Sequence, residues 1–225
     1  MPIETVLFDM DGTILSTMED LYDTINYSLE HFGFRRRTAE EVRQFVGSGA
    51  DELVRRALAD QNATPEQVAE VAHFFRGWYE SHNCNKTRPY PGIPELLEQL
   101  KRAGIKAAVV SNKPDVITRA LAELFFPGLP AYGQVSDLPA KPAPDLVYRA
   151  LREMDMPRET AVYVGDSEVD VQTARNAGMP LCAVCWGFRT REELVAAGAE
   201  CISADAGDLA KKLGLYVLTN GANRV

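Results

Sequence analysis

The sequence predicts an α/β protein built on a doubly wound parallel sheet, interrupted after its first strand by an all-helical insertion. Three observations predict it. Ile3–Asp9 (IETVLFD) is a short apolar run ending in an acidic turn, the pattern of a buried strand. From about Ser16 to Thr87 apolar residues recur at helical spacing. After Pro89-Tyr90-Pro91-Gly92, short apolar runs alternate with helical segments. Continuous apolar strands separated by helices imply a parallel sheet covered on both faces. The division expected is a Rossmann-like α/β core of residues 1–15 and 88–225 and a helical cap of residues 16–87.

Within the helical block, Leu21, Ile25, Leu29 and Phe32 form one apolar face. Thr38 with Glu41 is the pattern of a capping box. Gly47-Ser48-Gly49 breaks the pattern before a helix over Asp51–Asp60. Thr64-Pro65-Glu66-Gln67 opens another helix, with Val68, Val71, Ala72 and Phe75 on its apolar stripe. Further on, helical Glu95–Arg102 stops at Gly104, and Ile105–Ser111 follows as a strand. Helical Asp115–Leu124 precedes a weak strand near Tyr132–Val135. Helical Asp145–Met154 leads to the strand Thr160–Asp166, and helical Val169–Ala177 leads to the strand Leu181–Gly187. A capping box at Thr190 and Glu193 starts the next helix, and the tail after Leu215 carries no clear signal.

Composition narrows the function classes. A net charge of -8 over 225 residues argues against coating a nucleic acid, which is held by surplus Lys and Arg. No apolar run approaches the ~18 residues of a membrane span, and no secretory signal opens the chain, so a cytoplasmic location is expected. Arg35-Arg36-Arg37 is expected to be a solvated turn between helices. Cys182 and Cys185 lie three apart on an expected strand and so face opposite ways, which disfavours a redox pair or zinc clamp. The four cysteines are expected to be reduced thiols, and His31, His73 and His82 to be residues of helix faces.

In a doubly wound sheet, ligands bind beyond the carboxyl ends of the strands. Four such ends carry polar residues here: Asp9-Met10-Asp11-Gly12-Thr13, Ser111-Asn112-Lys113-Pro114, Lys141-Pro142-Ala143-Pro144-Asp145 and Gly165-Asp166-Ser167-Glu168-Val169-Asp170. Residues two apart on a strand share a face, separated by ~6.6 Å. Carboxylates that close repel and call for a cation or a proton. Asp9, Asp11, Asp166 and Asp170, with no His or Cys among them, select a hard cation such as Mg2+. Ser111 and Lys141, each expected just before a helix, add donors for an anion. Metal, lysine and hydroxyl together describe a site for a phosphoryl group. An aspartate can then attack phosphorus, while a second passes protons to the leaving group and from the water.

DMDGT (Asp9–Thr13), VVSNK (Val109–Lys113), KPAPD (Lys141–Asp145) and GDSEVD (Gly165–Asp170) resemble, in order, the four motifs of the haloacid dehalogenase superfamily. The resemblance runs from Ile3 to about Lys212. It implies a Rossmann-like core with a cap inserted after the first motif. It further implies Asp9 as nucleophile and Asp11 as acid and base, with Mg2+ held by Asp9, the Asp11 carbonyl and Asp166 and supported by Asp170. Ser111 and Lys141 would grip the phosphoryl, with Thr13 and Asn112 of the same motifs as further phosphate contacts. An acid at Asp11 favours phosphoryl transfer over carbon–halogen cleavage.

Tyr90–Pro114 and Trp186-Gly187 look most like phosphoglycolate phosphatases, whereas Ser16-Thr17 stands where relatives often carry Asp-Ser. The function implied is hydrolysis of a small phosphorylated metabolite, with 2-phosphoglycolate the substrate that the resemblance suggests. The alternatives are a sugar-phosphate phosphatase or a phosphosugar mutase of the β-phosphoglucomutase type. A signalling receiver domain shares the acids and the lysine but has no inserted cap. Substrate choice is expected to lie with the cap, and Gly47-Ser48-Gly49 is the expected loop reaching into the cleft.

Overall fold

The computed structural model describes residues 2–215; residues 216–225, where the sequence carries no clear signal, lie outside them. Six parallel strands form one sheet, in the order β5-β4-β1-β6-β7-β8. They are β1 (Thr5–Phe8), β4 (Lys106–Pro114), β5 (Ala131–Gln134), β6 (Ala161–Gly165), β7 (Leu181–Val184) and β8 (Ile202–Ser203). β1 sits in the middle, with Thr5–Phe8 in register with Lys106–Val109 on one side and Ala161–Val164 on the other. The period of two along each strand sends alternate side chains into two separate cores. Val6, Phe8, Val109 and Val164 pack with helices α5 (Ile93–Arg102), α6 (Asp115–Phe125) and α10 (Ala206–Lys212). Leu7, Ala108, Val110 and Tyr163 pack on the other face with α7 (Asp145–Glu153) and α8 (Glu168–Ala177). Full burial of residues such as Phe8 and Leu7 contributes about 1.5–3 kcal/mol each, which explains why these strands read as unbroken apolar runs.

Four helices interrupt this pattern: α1 (Met18–His31), α2 (Ala39–Phe45), α3 (Ala50–Leu58) and α4 (Pro65–His82). The capping boxes at Thr38/Glu41, Thr64/Gln67 and Thr190/Glu193 are all formed, the last opening α9 (Arg191–Ala196). The chain enters and leaves the helical insertion through a two-stranded antiparallel ribbon, β2 (Leu15–Ser16) with β3 (Arg88–Pro89). Buried Asp20 reinforces it, accepting hydrogen bonds from Lys86 N, Thr87 N and Thr87 Oγ1. The ribbon and β8 escape the sequence reading because two-residue strands are shorter than any periodicity can register, and the seven-residue α10 also went unread.

One expectation is corrected. Arg35-Arg36-Arg37 is a solvated turn only in part: Arg35 and Arg36 are exposed, but Arg37 is 3% exposed. Its guanidinium donates to Ala57 O at 2.7 and 2.8 Å and pairs with Glu41 and Asp60. The carbonyls of the last turn of α3 have no partner within their own helix, and Arg37 supplies one. The thiols are free as expected, with Cys84 exposed and Cys182 buried. Cys182 Sγ faces Cys201 rather than Cys185, since β7 ends at Val184. His31 and His82 stack on aromatic rings along α1 and α4. No helix of the described residues is long and apolar enough to cross a membrane.

Candidate active site

The site forms where β1 ends. Asp9 N still bonds Val164 O, and then Met10 O accepts from the amides of Thr13, Ile14 and Leu15, curling the chain back at once. Gly12 has φ +82°, and a Cβ there would stand 2.2 Å from Asp166 Oδ2. A Cβ on Gly187 would lie 2.2 Å from Gly12 O and 2.3 Å from the same carboxylate oxygen. These two glycines let three backbone segments close around one acid.

Three of the four expected acids converge, Asp11 standing outside the cluster. Asp9, Asp166 and Asp170 each offer an oxygen within 4.8 Å of the others. Oxygen donors alone, buried and mutually repelling, suit a hard divalent ion, so the residues fit the metal that the sequence implies. Lys141 lies among them, its Nζ 2.8 Å from Asp9 Oδ1, 2.9 Å from Asp170 Oδ1 and 2.9 Å from Tyr163 OH. Asp170 is locked further, Oδ2 accepting from Ser167 Oγ at 2.7 Å and from the amides of Asp166 and Ser167. Burial raises Asp9 from the ordinary carboxylate range to about 7; Lys141 opposes the rise, and Asp170 and Asp11 add to it. Burial raises Asp166 well above that range too, with Asp170 and Asp9 contributing. Burial alone would lower Lys141, but Asp170 and Asp9 outweigh it and hold the ammonium charged.

Because Asp9 is raised in the fold, the metal-free folded chain holds a proton there that the unfolded chain releases near pH 4. Its stability contribution is therefore largest at low pH and falls as pH rises towards about 7. A divalent ion must displace that proton. Mg2+ affinity should accordingly increase with pH as Asp9 and Asp166 give up their protons, which calorimetric titration between pH 5.5 and 8 would read. Flat affinity across that window contradicts the reading.

Two expected phosphate contacts are spent elsewhere. Thr13 Oγ1 donates to Asp166 Oδ1 at 3.2 Å. Asn112 uses both ends of its amide on Lys141, accepting from Lys141 N at 2.7 Å and donating to Lys141 O at 3.0 Å. Each is buried, and a buried polar group takes the nearest fixed partner. Ser111 stays on the cavity wall, but inside β4, which runs on to Pro114, so it is not at a helix start. Of the glycine loop, Gly47 and Gly49 line the cavity. Ser48 is not among the lining residues, and its Oγ accepts from Arg56 at 3.3 Å.

Other participants went unread in the sequence. Lys113 Nζ lies 3.2 Å from Asp11 Oδ1 and donates to Tyr79 OH of α4 at 2.6 Å. The signal was available, since Lys113 is two residues beyond Ser111 on one strand and shares its face. Tyr163, a lone hydroxyl in an apolar strand, also had to find a partner. Phe188 N donates to Asp166 Oδ2 at 2.6 Å. The next residue, Arg189, is 5% exposed; it pairs with Glu168 and donates to Arg43 O at 2.8 Å and Val46 O at 3.2 Å. These are orphan carbonyls at the end of α2, directly before Gly47, so the arginine seats the insertion against the core. Arg189→Ala should cost about 2–3 kcal/mol of stability in urea unfolding, by removing charge-assisted hydrogen bonds. It should raise KM more than it lowers kcat.

The walls between these groups are mostly apolar, contributed by Leu21, Val46, Leu53, Phe75, Ile117 and Phe188. The cavity measures about 100 Å³, well under the ~300 Å³ at which sites for drug-sized ligands begin.

The sequence model described as haloacid dehalogenase-like hydrolase matches residues 6–184. A protein named phosphoglycolate phosphatase from Mannheimia succiniciproducens is 33% identical over 217 residues, covering 91% of this chain and 95% of that one. A candidate phosphoglycolate phosphatase from Lactobacillus delbrueckii subsp. bulgaricus has a solved structure with TM-score 0.91 and 38% identity, covering 95% of this chain and 99% of that one. A CbbY variant from Rhodobacter sphaeroides, in complex with xylulose-(1,5)bisphosphate, superposes with TM-score 0.74 at 28% identity, covering 92% and 96%. With its motif residues gathered around one site and residues 6–184 matched by the family's sequence model, the chain belongs to the haloacid dehalogenase-like hydrolase family, as an enzyme of the phosphatase branch.

Proposed function

We propose that the protein hydrolyses a small phosphomonoester, 2-phosphoglycolate being the first choice, through a phosphorylated Asp9. The observation that carries this reading is Asp9 itself: a buried carboxylate steadied by Lys141, within common reach of Asp166 and Asp170, at the wall of a small cavity that also presents Asp11. Asp9, the Asp11 carbonyl and Asp166, with Asp170 in support, would hold a divalent ion, which would supply the positive charge that lets an anionic ester approach an anionic nucleophile.

The chain's own groups do the rest. An Asp9 oxygen forms a bond to phosphorus as the bond from phosphorus to the ester oxygen breaks. Asp11 gives its proton to that oxygen, releasing an alcohol. It then takes a proton from water as the water's oxygen attacks the same phosphorus, freeing inorganic phosphate and restoring Asp9. Lys141 and Ser111 hold the transferring group. Residues 16–87 act as a cap that excludes water and selects the leaving group, with the backbone around Gly47 and Gly49 nearest the reacting end.

A phosphate-release screen with Mg2+ over 2-phosphoglycolate, hexose phosphates and other phosphorylated metabolites tests this. Release that is fastest from 2-phosphoglycolate is expected. Interconversion of sugar phosphates without net release would replace the hydrolase reading by a mutase.

A further inference from the structure

Lys113 and Arg76 are the cations of the cavity wall that neither the metal cluster nor the phosphoryl grip employs, and of the two only Lys113 is buried. Its side chain is 3% exposed. Of the three donors on its ammonium, one goes to Tyr79 OH and one faces Asp11 Oδ1, and the third has no acceptor among the described residues. A buried donor without a partner costs free energy, so the group is built for something that arrives. What arrives must be small and anionic. Arg76, the other cation on the wall, is already paired with Asp51. Leu53, Phe75 and Ile117 offer nothing to the hydroxyls of a sugar.

Position narrows the class further. Asp11, the group that protonates the ester oxygen in the proposed mechanism, is in direct contact with Lys113. An anionic group reaching Lys113 therefore lies close to the ester oxygen, about one carbon away. We propose that Lys113, steadied by Tyr79 from the cap, binds a carboxylate on the leaving group and so selects short phosphomonoesters with a carboxylate on the carbon bearing the ester oxygen. This rests on the phosphatase reading above and adds to it the residue that discriminates. Tyr79 makes the discrimination depend on the cap: when α4 lies against the core its hydroxyl fixes the ammonium, and the carboxylate completes the set.

The test compares kcat/KM for 2-phosphoglycolate with that for ethyl phosphate, which keeps the two-carbon skeleton but replaces carboxylate by methyl. The wild-type protein should favour 2-phosphoglycolate by about 100-fold, the scale of a charge-assisted hydrogen bond. Lys113→Met should bring the ratio below about 10-fold, chiefly through KM for 2-phosphoglycolate. Lys113→Arg should recover part of it, and Tyr79→Phe should fall between. Equal loss on both substrates in Lys113→Met would overturn the inference, leaving Lys113 as a support for Asp11 alone. A wild-type ratio near one would overturn it while sparing the phosphatase reading. No phosphate from either ester would remove both. If Lys113→Met fails to fold by circular dichroism, the ratio in Tyr79→Phe decides, an unchanged ratio counting against the inference.

Discussion

Replacing Asp9 by Asn should abolish phosphate release, by roughly 10⁴-fold or more, the scale seen when a covalent nucleophile is removed. The fold should survive the change. Asn is nearly isosteric, and the Asp9 carboxyl is already raised to about 7 by burial, so a neutral amide suits the metal-free site. Lys141 keeps Asp170 Oδ1 and Tyr163 OH as partners. Unfolding midpoints within a few degrees of the wild type, together with lost turnover, would place Asp9 at the chemistry rather than in the scaffold. Activity persisting at more than a few per cent would remove Asp9 as the nucleophile.

Lys141→Met should have the largest effect on stability. The ammonium is 1% exposed and is the only cation in contact with Asp9 and Asp170 among the described residues. Deleting it leaves buried carboxylates facing one another, and breaking a buried charge pair in this way costs about 3–5 kcal/mol. The loss should be greatest near neutral pH without divalent ions. With the lysine gone, Asp9 loses the charge that opposes its rise and is pushed further above its unfolded value. The folded state then binds more protons than the unfolded one, and stability falls as pH rises. Both acidification and Mg2+ should restore part of the loss, and Mg2+ should raise the urea midpoint of this variant more than that of the wild type. A variant as stable as the wild type at pH 7.5 in chelator would refute the electrostatic account.

Much of this architecture was legible because it rests on periodic or strongly marked features. The apolar runs of β1, β4, β6 and β7 and the capping boxes at Thr38 and Thr190 appear where the sequence puts them, and Thr64 caps α4 as expected. What stayed hidden depends on pairings between distant residues. Nothing local distinguishes Arg37, buried on Ala57 O, from Arg36, which is half-exposed. Nothing marks Arg189 as the residue that seats α2. Thr13 and Asn112 lie in the right motifs, yet they orient Asp166 and Lys141, since a motif specifies residue type and position but not which partner the fold brings nearest.

The ribbon of β2 and β3 has a mechanical consequence. Both chain crossings run side by side, with Leu15 opposite Pro89 and Ser16 opposite Arg88, and Asp20 stitches the returning segment to the first helix. Sliding or twisting of the insertion would tear those bonds, whereas rotation about the ribbon leaves them whole. The four helices thus hang on one narrow pivot, and any turning of the insertion about it would have to part the contacts of Arg189 with Arg43 O and Val46 O and of Lys113 with Tyr79.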